Sequence, residues 1–418
     1  MKKIITLLLT VVSVGVFAQE KLTIDKCYEL VNTNYPLAKQ TALLSDKNNL
    51  DVSVIKASKL PQLDFSAQAT YQSDVIEFPI ALPGTTVEPP NNDQYKAALS
   101  VNQLIYGGGV VSVAVDAKGN ELKTQQKQLE VSLYQLKKQV NQLYFSILLM
   151  QEKRGVLDAN KTKLETKLIE VKSAIKYGAA LPSSDKILEA ELLKIEQLII
   201  EVEQNKKSLM ATLSQLIGQE IASSTSLENP EITTAINSDL TRPELELFQL
   251  QKQQIDFSDK LISKQNMPKL MGFGTGGYGN PGLNMLDNSF QPYYIVGLKL
   301  NWNIFDWNAS KNKRKALQVN KLIIDNQQEV FKFNTNIELN QHQSEIDKIM
   351  AFITSDKTII DLRKTILKTA DAQLKNGVIT SSEYITELTN LFEAENNLKT
   401  HEIQLLLAKA NHKTTQGN

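Results

Sequence analysis

Residues 293–317 read YYIVGLKLNWNIFDWNASKNKRKAL and join two different periodicities. Apolar side chains occupy alternate positions up to Ile304, which predicts a strand with one apolar and one polar face. From about Asn308 a charged helical pattern follows, and neither Pro nor Gly interrupts it before Gly377. A second transition of this kind lies upstream, where residues 94–109 lead into a helical stretch that ends near Gly178. The sequence therefore predicts two strands that each run into a very long helix.

The spacing of the residues at the ends of the predicted elements indicates that this arrangement is an internal duplication. Pro36 to Pro61 and Pro243 to Pro268 both span 25 residues, and Tyr106 to Gly178 and Phe305 to Gly377 both span 72. The intervals between them differ, at 45 and 37 residues. Because loops absorb most length variation between repeats, we expect two copies of one helix-strand-strand-helix unit.

The repeats are predicted to occupy 19–218 and 242–418, with a connector rich in Ser, Thr, Glu and Asn over 219–241. The predicted strands are about 62–72, 95–106, 270–278 and 292–305, and the predicted long helices are 111–177, 185–217, 309–376 and 382–413. Apolar residues of the long helices recur at alternating spacings of four and three, which is typical of long helices packed against one another. The fold class is therefore mixed helix and strand.

The first residues predict an exported protein. Lys2 and Lys3 precede an apolar run and then Ala18, so residues 1–18 are interpreted as a cleaved signal peptide, and the apolar run is too short for the alternative, a membrane anchor. The single cysteine, Cys27, lacks the small apolar neighbours of a lipoprotein cleavage box, so we predict no lipid attachment there. The sequence contains 46 basic and 46 acidic residues, so it has no excess of positive charge that would indicate binding to nucleic acid.

The alternating strands raise the question of what covers their apolar face. One chain supplies four strands, and an open sheet edge inside a bilayer leaves peptide groups unpaired. We therefore expect copies of the chain to share a barrel, and a cyclic trimer gives twelve strands. Asp64, Lys96, Lys299 and Asn301 would then face a water-filled lumen. A soluble sheet packed on one face is the alternative, but the export signal and the aromatic residues at strand ends favour the membrane.

Short motifs in the same order resemble the TolC-type outer membrane efflux protein family over essentially the whole mature chain. They are LTID at 22–25, NYP at 34–36, LPQL at 60–63, LIYGGG at 104–109, YGAALPSSD at 177–185, RPEL at 242–245, IFD at 304–306 and NGVITSSE at 376–383. The resemblance implies a homotrimer whose outer-membrane β-barrel continues as a periplasmic α-helical barrel. It also implies partners, namely a periplasmic adaptor protein and an inner-membrane transporter of the RND, ABC or MFS type.

The resemblance also implies where the functional sites lie. The helix reversals at Gly178, Pro182 and Gly377 would form the periplasmic tips that contact the adaptor, and Asp185 and Glu383 would line the pore entrance. The alternative is that both carboxylates only favour the starts of their helices. Ile379 and Thr386 stand where the family has a basic and a second acidic residue, so the family's gate-locking salt links are not reproduced. Gly107, Gly108, Gly109, Phe305 and Asp306 mark the bends from strand to helix.

No catalytic or cofactor site is predicted. His342, His401 and His412 have no metal-ligand spacing, and the glycines at 107–109 are not followed by the Lys-Ser/Thr pair of a phosphate loop. The expected function is a passive outer-membrane exit duct of an efflux or type I secretion system. The alternative from another class is a periplasmic coiled-coil adaptor or scaffold without a channel.

Overall fold

The computed structural model describes residues 21–76, 88–222, 225–233 and 239–417. The predicted signal peptide, residues 1–18, lies outside the described residues, as do parts of the predicted loop after the first strand and of the connector. The predicted first repeat contains α1 (Ile24–Asn34), a short 3-10 turn (Pro36–Lys39), α2 (Gln40–Ala57), β1 (Gln62–Tyr71), β2 (Asp93–Tyr106), α3 (Val110–Lys176) and α4 (Ser184–Ile217). The second contains α5 (Pro243–Gln265), β3 (Lys269–Asn280), β4 (Gln291–Asn301), α6 (Ala309–Lys375) and α7 (Ser381–Gln416).

The mixed fold class is confirmed: seven helices and a single antiparallel sheet in the order β1-β2-β3-β4 occupy the described part of the chain. The predicted strand at 292–305 is observed from Gln291 to Asn301. Asn301 pairs with Lys269, the first residue of β3. Pro268 precedes that residue and has no N–H to donate, so the ladder ends there.

The chain divides into two compact units. Among the described residues, those within 1–38, 131–242 and 333–418 form one unit, and those within 39–130 and 243–332 form the other. In the first unit α1 begins with a cap, because the Thr23 hydroxyl accepts a hydrogen bond from Lys26 N–H. Cys27 is completely buried in its core beside Val140, Tyr144 and Leu213.

Two polar side chains at that core, Asn141 and Tyr144, are buried with hydrogen-bond partners. Asn141 donates to Asn411 Oδ1 at 2.9 Å and accepts a hydrogen bond from the Tyr28 hydroxyl. The Tyr144 hydroxyl lies 2.8 Å from the carbonyl oxygen of Leu22 and 2.7 Å from that of Glu228. These bonds connect the start of α1 and the connector to α3, so the unit is held together by specific contacts as well as by apolar burial.

The second unit contains the sheet and the helix segments beside it. Asn120 of α3 donates to the Leu250 carbonyl at 3.1 Å and to Gln254 Oε1 at 2.9 Å, and this joins α3 to α5. Phe248 of α5 and Phe331 of α6 meet edge to face at 5.9 Å. No helix among the described residues carries an apolar stretch long enough to cross a membrane.

Candidate functional site

The two helix reversals of the first unit have the same backbone geometry. At one tip the Gly178 N–H bonds to the Ile175 carbonyl and the next N–H bonds to Ala174; at the other, Gly377 bonds to Leu374 and the next N–H to Gln373. Both glycines are left-handed, with φ of 72° and 67°. This is the Schellman motif at a helix C-terminus. The glycine adopts the left-handed conformation without strain, and its N–H and the next N–H donate to carbonyls of the last helical turn.

Glu383 caps the helix that leaves the second tip. Its Oε2 accepts hydrogen bonds from the Thr380 N–H at 2.8 Å and the Thr380 hydroxyl at 2.9 Å, and its own N–H donates to the Thr380 hydroxyl at 3.3 Å. These hydrogen bonds from Thr380 lower the pKa of the Glu383 carboxyl below its ordinary value. The arrangement is a capping box, and the carboxylate remains charged at neutral pH.

Asp185 occupies a different environment at the first tip. Pro182 lies in the turn, α4 begins two residues later, and Asp185 follows in its first turn. The side chain is only 16% exposed. Its Oδ1 is buried with no hydrogen-bond partner in the described part of the chain, while Oδ2 lies 3.5 Å from Lys186 Nζ. The two predicted entrance carboxylates are therefore held by different contacts.

A cavity of about 470 Å³ separates the two tips within the first unit. Gly178, Leu181 and Ser184 line it from one hairpin, and Gly377, Ile379 and Thr380 line it from the other. Ile379, which stands where a basic residue is expected in the family, therefore contributes apolar surface. Lys167 and Lys375 add the basic groups of the lining.

Lys167 connects the two hairpins beside this cavity. Its side chain is 8% exposed, and Nζ bonds to Asp371 of α6 and to Glu170 at 2.5 Å. Nζ also lies 5.3 Å from the centre of the Tyr384 ring. Burial alone would lower the pKa of Lys167, but hydrogen bonds to Asp371 and Glu170 outweigh burial and raise that pKa. Asp371 responds in the opposite sense: burial raises its pKa, but hydrogen bonds from Lys167 and Lys375 dominate and lower it.

In the second unit, the predicted lumen residues share one face of the sheet. Asp64 pairs with Ser100, and Lys96 pairs with Gln68 and Gly279. Lys299 pairs with Met271, and Asn301 with Lys269. Because directly paired residues lie on the same face, this register sets Asp64, Lys96, Lys299 and Asn301 on one side. Ser100 and Thr275 on that side are joined by a hydrogen bond of 3.1 Å.

The opposite face of the sheet is apolar, and no other described residues of the chain cover it. Several large side chains on this face are 65–78% exposed; they are Leu63, Phe65, Tyr294, Val296, Leu298 and Leu300. A soluble protein rarely leaves a continuous apolar surface of this kind without a partner. The sheet face therefore requires lipid or another apolar surface in the functional state.

At each of the two bends from strand to helix, two consecutive residues adopt the left-handed backbone conformation, and the two pairs occupy equivalent positions in the predicted repeats. Gly108 and Gly109 have φ of 65° and 85°, and their counterparts Trp307 and Asn308 have φ of 53° and 62°. In the second repeat the Ser310 N–H donates to Asp306 Oδ2 at 2.8 Å, and the rings of Phe305 and Trp307 meet edge to face at 4.9 Å. Here a hydrogen bond and an aromatic contact accompany a conformation that glycine adopts without strain in the first repeat.

The three histidines of the first unit have different immediate partners. His401 Nδ1 is 2.6 Å from Asp356 Oδ2, His342 Nε2 is 3.6 Å from Glu338, and His412 is buried. Burial lowers the pKa of both His342 and His412. Across the described ranges no group of three His, Cys, Asp or Glu side chains is arranged to hold a metal ion.

Three features of the site were missed by the sequence reasoning. The capping box was readable, since Thr380 and Glu383 have the Thr-x-x-Glu spacing at a helix start. The left-handed backbone conformation of Trp307 and Asn308 could be predicted only from their alignment with two glycines of the first repeat. The Lys167–Asp371 pair had no local signal, because its members lie on different helices of different repeats.

Comparisons with known proteins agree with this geometry. Residues 29–219 match the family model of outer membrane efflux proteins. The fold of the chain matches the Campylobacter jejuni CmeC outer membrane channel (16% identity, TM-score 0.63), with coverage of 94% of this chain and 85% of that one. It also matches the outer membrane protein VceC of Vibrio cholerae (14%, TM-score 0.65, 94% and 96% coverage).

The open state of the Neisseria gonorrhoeae MtrE outer membrane channel is similar too, at 13% identity and a TM-score of 0.66, with 94% and 89% coverage. No curated protein matches the chain. The resemblance read from the motifs is thus confirmed by the match over residues 29–219, and the channel fold extends over nearly the whole chain.

Proposed function

We propose that this protein, whose first repeat matches the outer membrane efflux protein family, is the outer-membrane exit duct of an efflux or type I secretion system. It provides a passive path and carries out no chemistry of its own. The observation that carries the proposal is the two-sided sheet: one face presents Asp64, Lys96, Lys299 and Asn301, and the other exposes Phe65, Val296 and Leu298. Such a sheet suits a wall between lipid and water.

Closure of that wall requires more than one chain. β1 and β4 are the outer strands of the four-stranded sheet, so each offers an unpaired edge. Pairing of β4 with β1 of the next copy in a ring of three closes a twelve-stranded barrel and leaves no edge in the bilayer. The homotrimer is therefore part of the proposal.

The long helices then form the periplasmic part of the duct. The tips at Gly178, Pro182 and Gly377 are the proposed contact with a periplasmic adaptor, which connects the duct to an inner-membrane transporter of the RND, ABC or MFS type. Asp185 and Glu383 are the proposed acidic residues of the pore entrance, where symmetry-related carboxylates attract cations.

The protein is proposed to reach the outer membrane after removal of residues 1–18 and without lipidation. The buried position of Cys27 inside α1 supports the second point, because a lipid-bearing cysteine has to reach the bilayer. Metabolic labelling with radioactive palmitate is expected to leave the mature protein unlabelled.

The proposal is tested on the mature protein extracted from outer membranes in mild detergent. We expect native mass spectrometry to give three copies and planar bilayers to show stepwise conductance. A water-soluble monomer would reject the duct and favour the alternative, a periplasmic coiled-coil adaptor or scaffold without a channel.

A further inference from the structure

A cavity of about 600 Å³ lies in the second unit, between the end of α5 and the start of α6. Asp259 of α5 and Asn266, the residue after that helix, line one side. Trp302 lines another, and Lys311, Arg314 and Lys315 of α6 complete the cavity. Its size is ordinary for a site that accepts a small molecule or a lipid headgroup. Trp302 immediately follows β4, so the cavity adjoins the end of the sheet from which α6 departs.

The charge of the lining is positive, with three cations against the single carboxylate of Asp259. Arg314 is oriented by that carboxylate through hydrogen bonds of 2.8 Å from Nε and 2.9 Å from Nη2, a pairing that does not use Nη1. Lys311 and Lys315 are exposed and have no ion-pair partner in the described ranges. Since they are four residues apart on α6, both ammonium groups lie on the same side of the helix.

Large exposed apolar side chains lie in the chain between the end of β4 and these cations, and one of them, Trp302, lines the cavity. Trp302 is 56% exposed, Ile304 77%, Phe305 65% and Trp307 84%. Exposed aromatic rings next to basic residues at the end of a membrane-spanning strand are typical of the zone of lipid headgroups, where rings bury their apolar edges and cations meet phosphates. The apolar segment and the basic cavity together match the two chemistries of a phospholipid.

We propose that this cavity binds the headgroup of an anionic phospholipid, with the phosphodiester held by Lys311, Lys315 and Arg314 and the acyl chains directed toward the apolar face of the sheet. The inference rests on the proposed function, because it requires the sheet to lie in a bilayer. A free phosphate carries the same anionic group but does not use the exposed aromatic rings, so a lipid is the occupant that accounts for both features.

The test is lipid retention by the full mature protein reconstituted in vesicles of phosphatidylglycerol and phosphatidylcholine, re-extracted in mild detergent and examined by native mass spectrometry. Wild type is expected to retain phosphatidylglycerol. Each basic residue near an anionic lipid contributes roughly a fivefold factor in affinity, so K311Q/K315Q is expected to bind about 25-fold more weakly. The single variants K311Q and K315Q are each expected to lose about fivefold, and K311R/K315R is expected to retain the lipid.

Two controls separate this site from general charge effects. K364Q/K368Q removes two exposed lysines with the same spacing from the same helix, and K313Q removes a lysine that does not line the cavity. Both are expected to retain lipid as wild type does. Equal retention by K311Q/K315Q, or equal loss in the controls, overturns the inference.

An excess of inorganic phosphate distinguishes the two sources of the anion. Lipid binding is expected to persist in its presence, whereas displacement of phosphatidylglycerol by inorganic phosphate overturns the lipid assignment. Conductance measured on the same samples separates this inference from the function: a protein that conducts but shows no site-dependent retention refutes the lipid site alone, and one that never inserts refutes the duct.

Discussion

Lys167 on α3 and Asp371 on α6 form an ion pair between the two hairpins although 204 residues separate them in the chain. The lysine is 8% and the aspartate 30% exposed. An ammonium group at this depth is stable only when carboxylates compensate for the lost water. The pair therefore holds the two tips of the first unit at a fixed separation beside the cavity between them.

Replacement of Asp371 by Asn is expected to destabilise the tips, because it leaves Lys167 with Glu170 as its remaining carboxylate partner. Breaking a fully buried pair costs roughly 3–5 kcal/mol, and the partial exposure of Asp371 reduces the expected loss to about 2 kcal/mol. Hydrogen exchange of residues 165–190 and 370–390 measures the effect. Asp347→Asn on the same helix, whose hydrogen bond is to Gln343, serves as the control and is expected to leave exchange unchanged.

The same pair predicts a specific pH dependence. The pKa of Asp371 is lowered in the folded state, so its contribution to stability is present above the unfolded value of about 3.9 and is lost as pH falls through the folded pKa. The pKa of Lys167 is raised, so its contribution is complete below about 10.4 and lost only at higher pH. The protection of the backbone amides at the two tips against hydrogen exchange is expected to stay constant from about pH 5 to 8 and to decrease below about pH 4. A decline that begins near pH 6 would contradict this assignment.

Substitutions of Glu383 separate its cap from its charge. The E383Q variant retains a side-chain oxygen that accepts the Thr380 hydrogen bonds, whereas the E383A variant removes both cap and charge. If the carboxylate lines the entrance, both variants weaken the block of single-channel current by multivalent cations. Only E383A is expected to lose helix stability, by about 1 kcal/mol. Unchanged block in E383Q would remove Glu383 from the entrance and leave it as a cap.

Gly108 is expected to tolerate no side chain. An added β-carbon would lie 2.4 Å from the β-carbon of Met267, and φ is 65°. Gly108→Ala is therefore expected to cost roughly 3 kcal/mol through the clash and the left-handed backbone together. Gly119→Ala, at a helical position with open space, is expected to gain about 0.5–1 kcal/mol. Thermal unfolding followed by circular dichroism compares the two, and equal melting temperatures would refute the account of the junction.

Cys27 is expected to be inert in the folded protein. It is fully buried, and burial raises the pKa of its thiol to about 12, so almost no thiolate is present at neutral pH. Maleimide labelling is expected to fail on the native protein and to proceed in denaturant. Rapid labelling without denaturant would show that α1 opens from the core.

Much of the architecture was determined by the sequence alone. Alternation of apolar and polar residues predicted the strands, and apolar residues at alternating spacings of four and three predicted the long helices. The equal 25- and 72-residue intervals predict a duplicated unit. These signals are local, because side-chain periodicity follows from the backbone geometry of each element and from the Gly and Pro residues that end it. The polar side of the strands, with Asp64 and Lys299, was readable for the same reason.

The contacts between elements were decided only by the tertiary structure. The Lys167–Asp371 pair depends on how α3 packs against α6, and the cavity at Lys311 and Lys315 depends on how α5 packs against α6. The relative positions of packed helices cannot be read from the spacing of residues in the sequence. Trp307 and Asn308 adopt the conformation of Gly108 and Gly109. A bulky residue such as Trp disfavours this conformation, so the contacts of the bend fix it there. Local pattern determines which elements form, whereas the energy of packing determines which side chains meet.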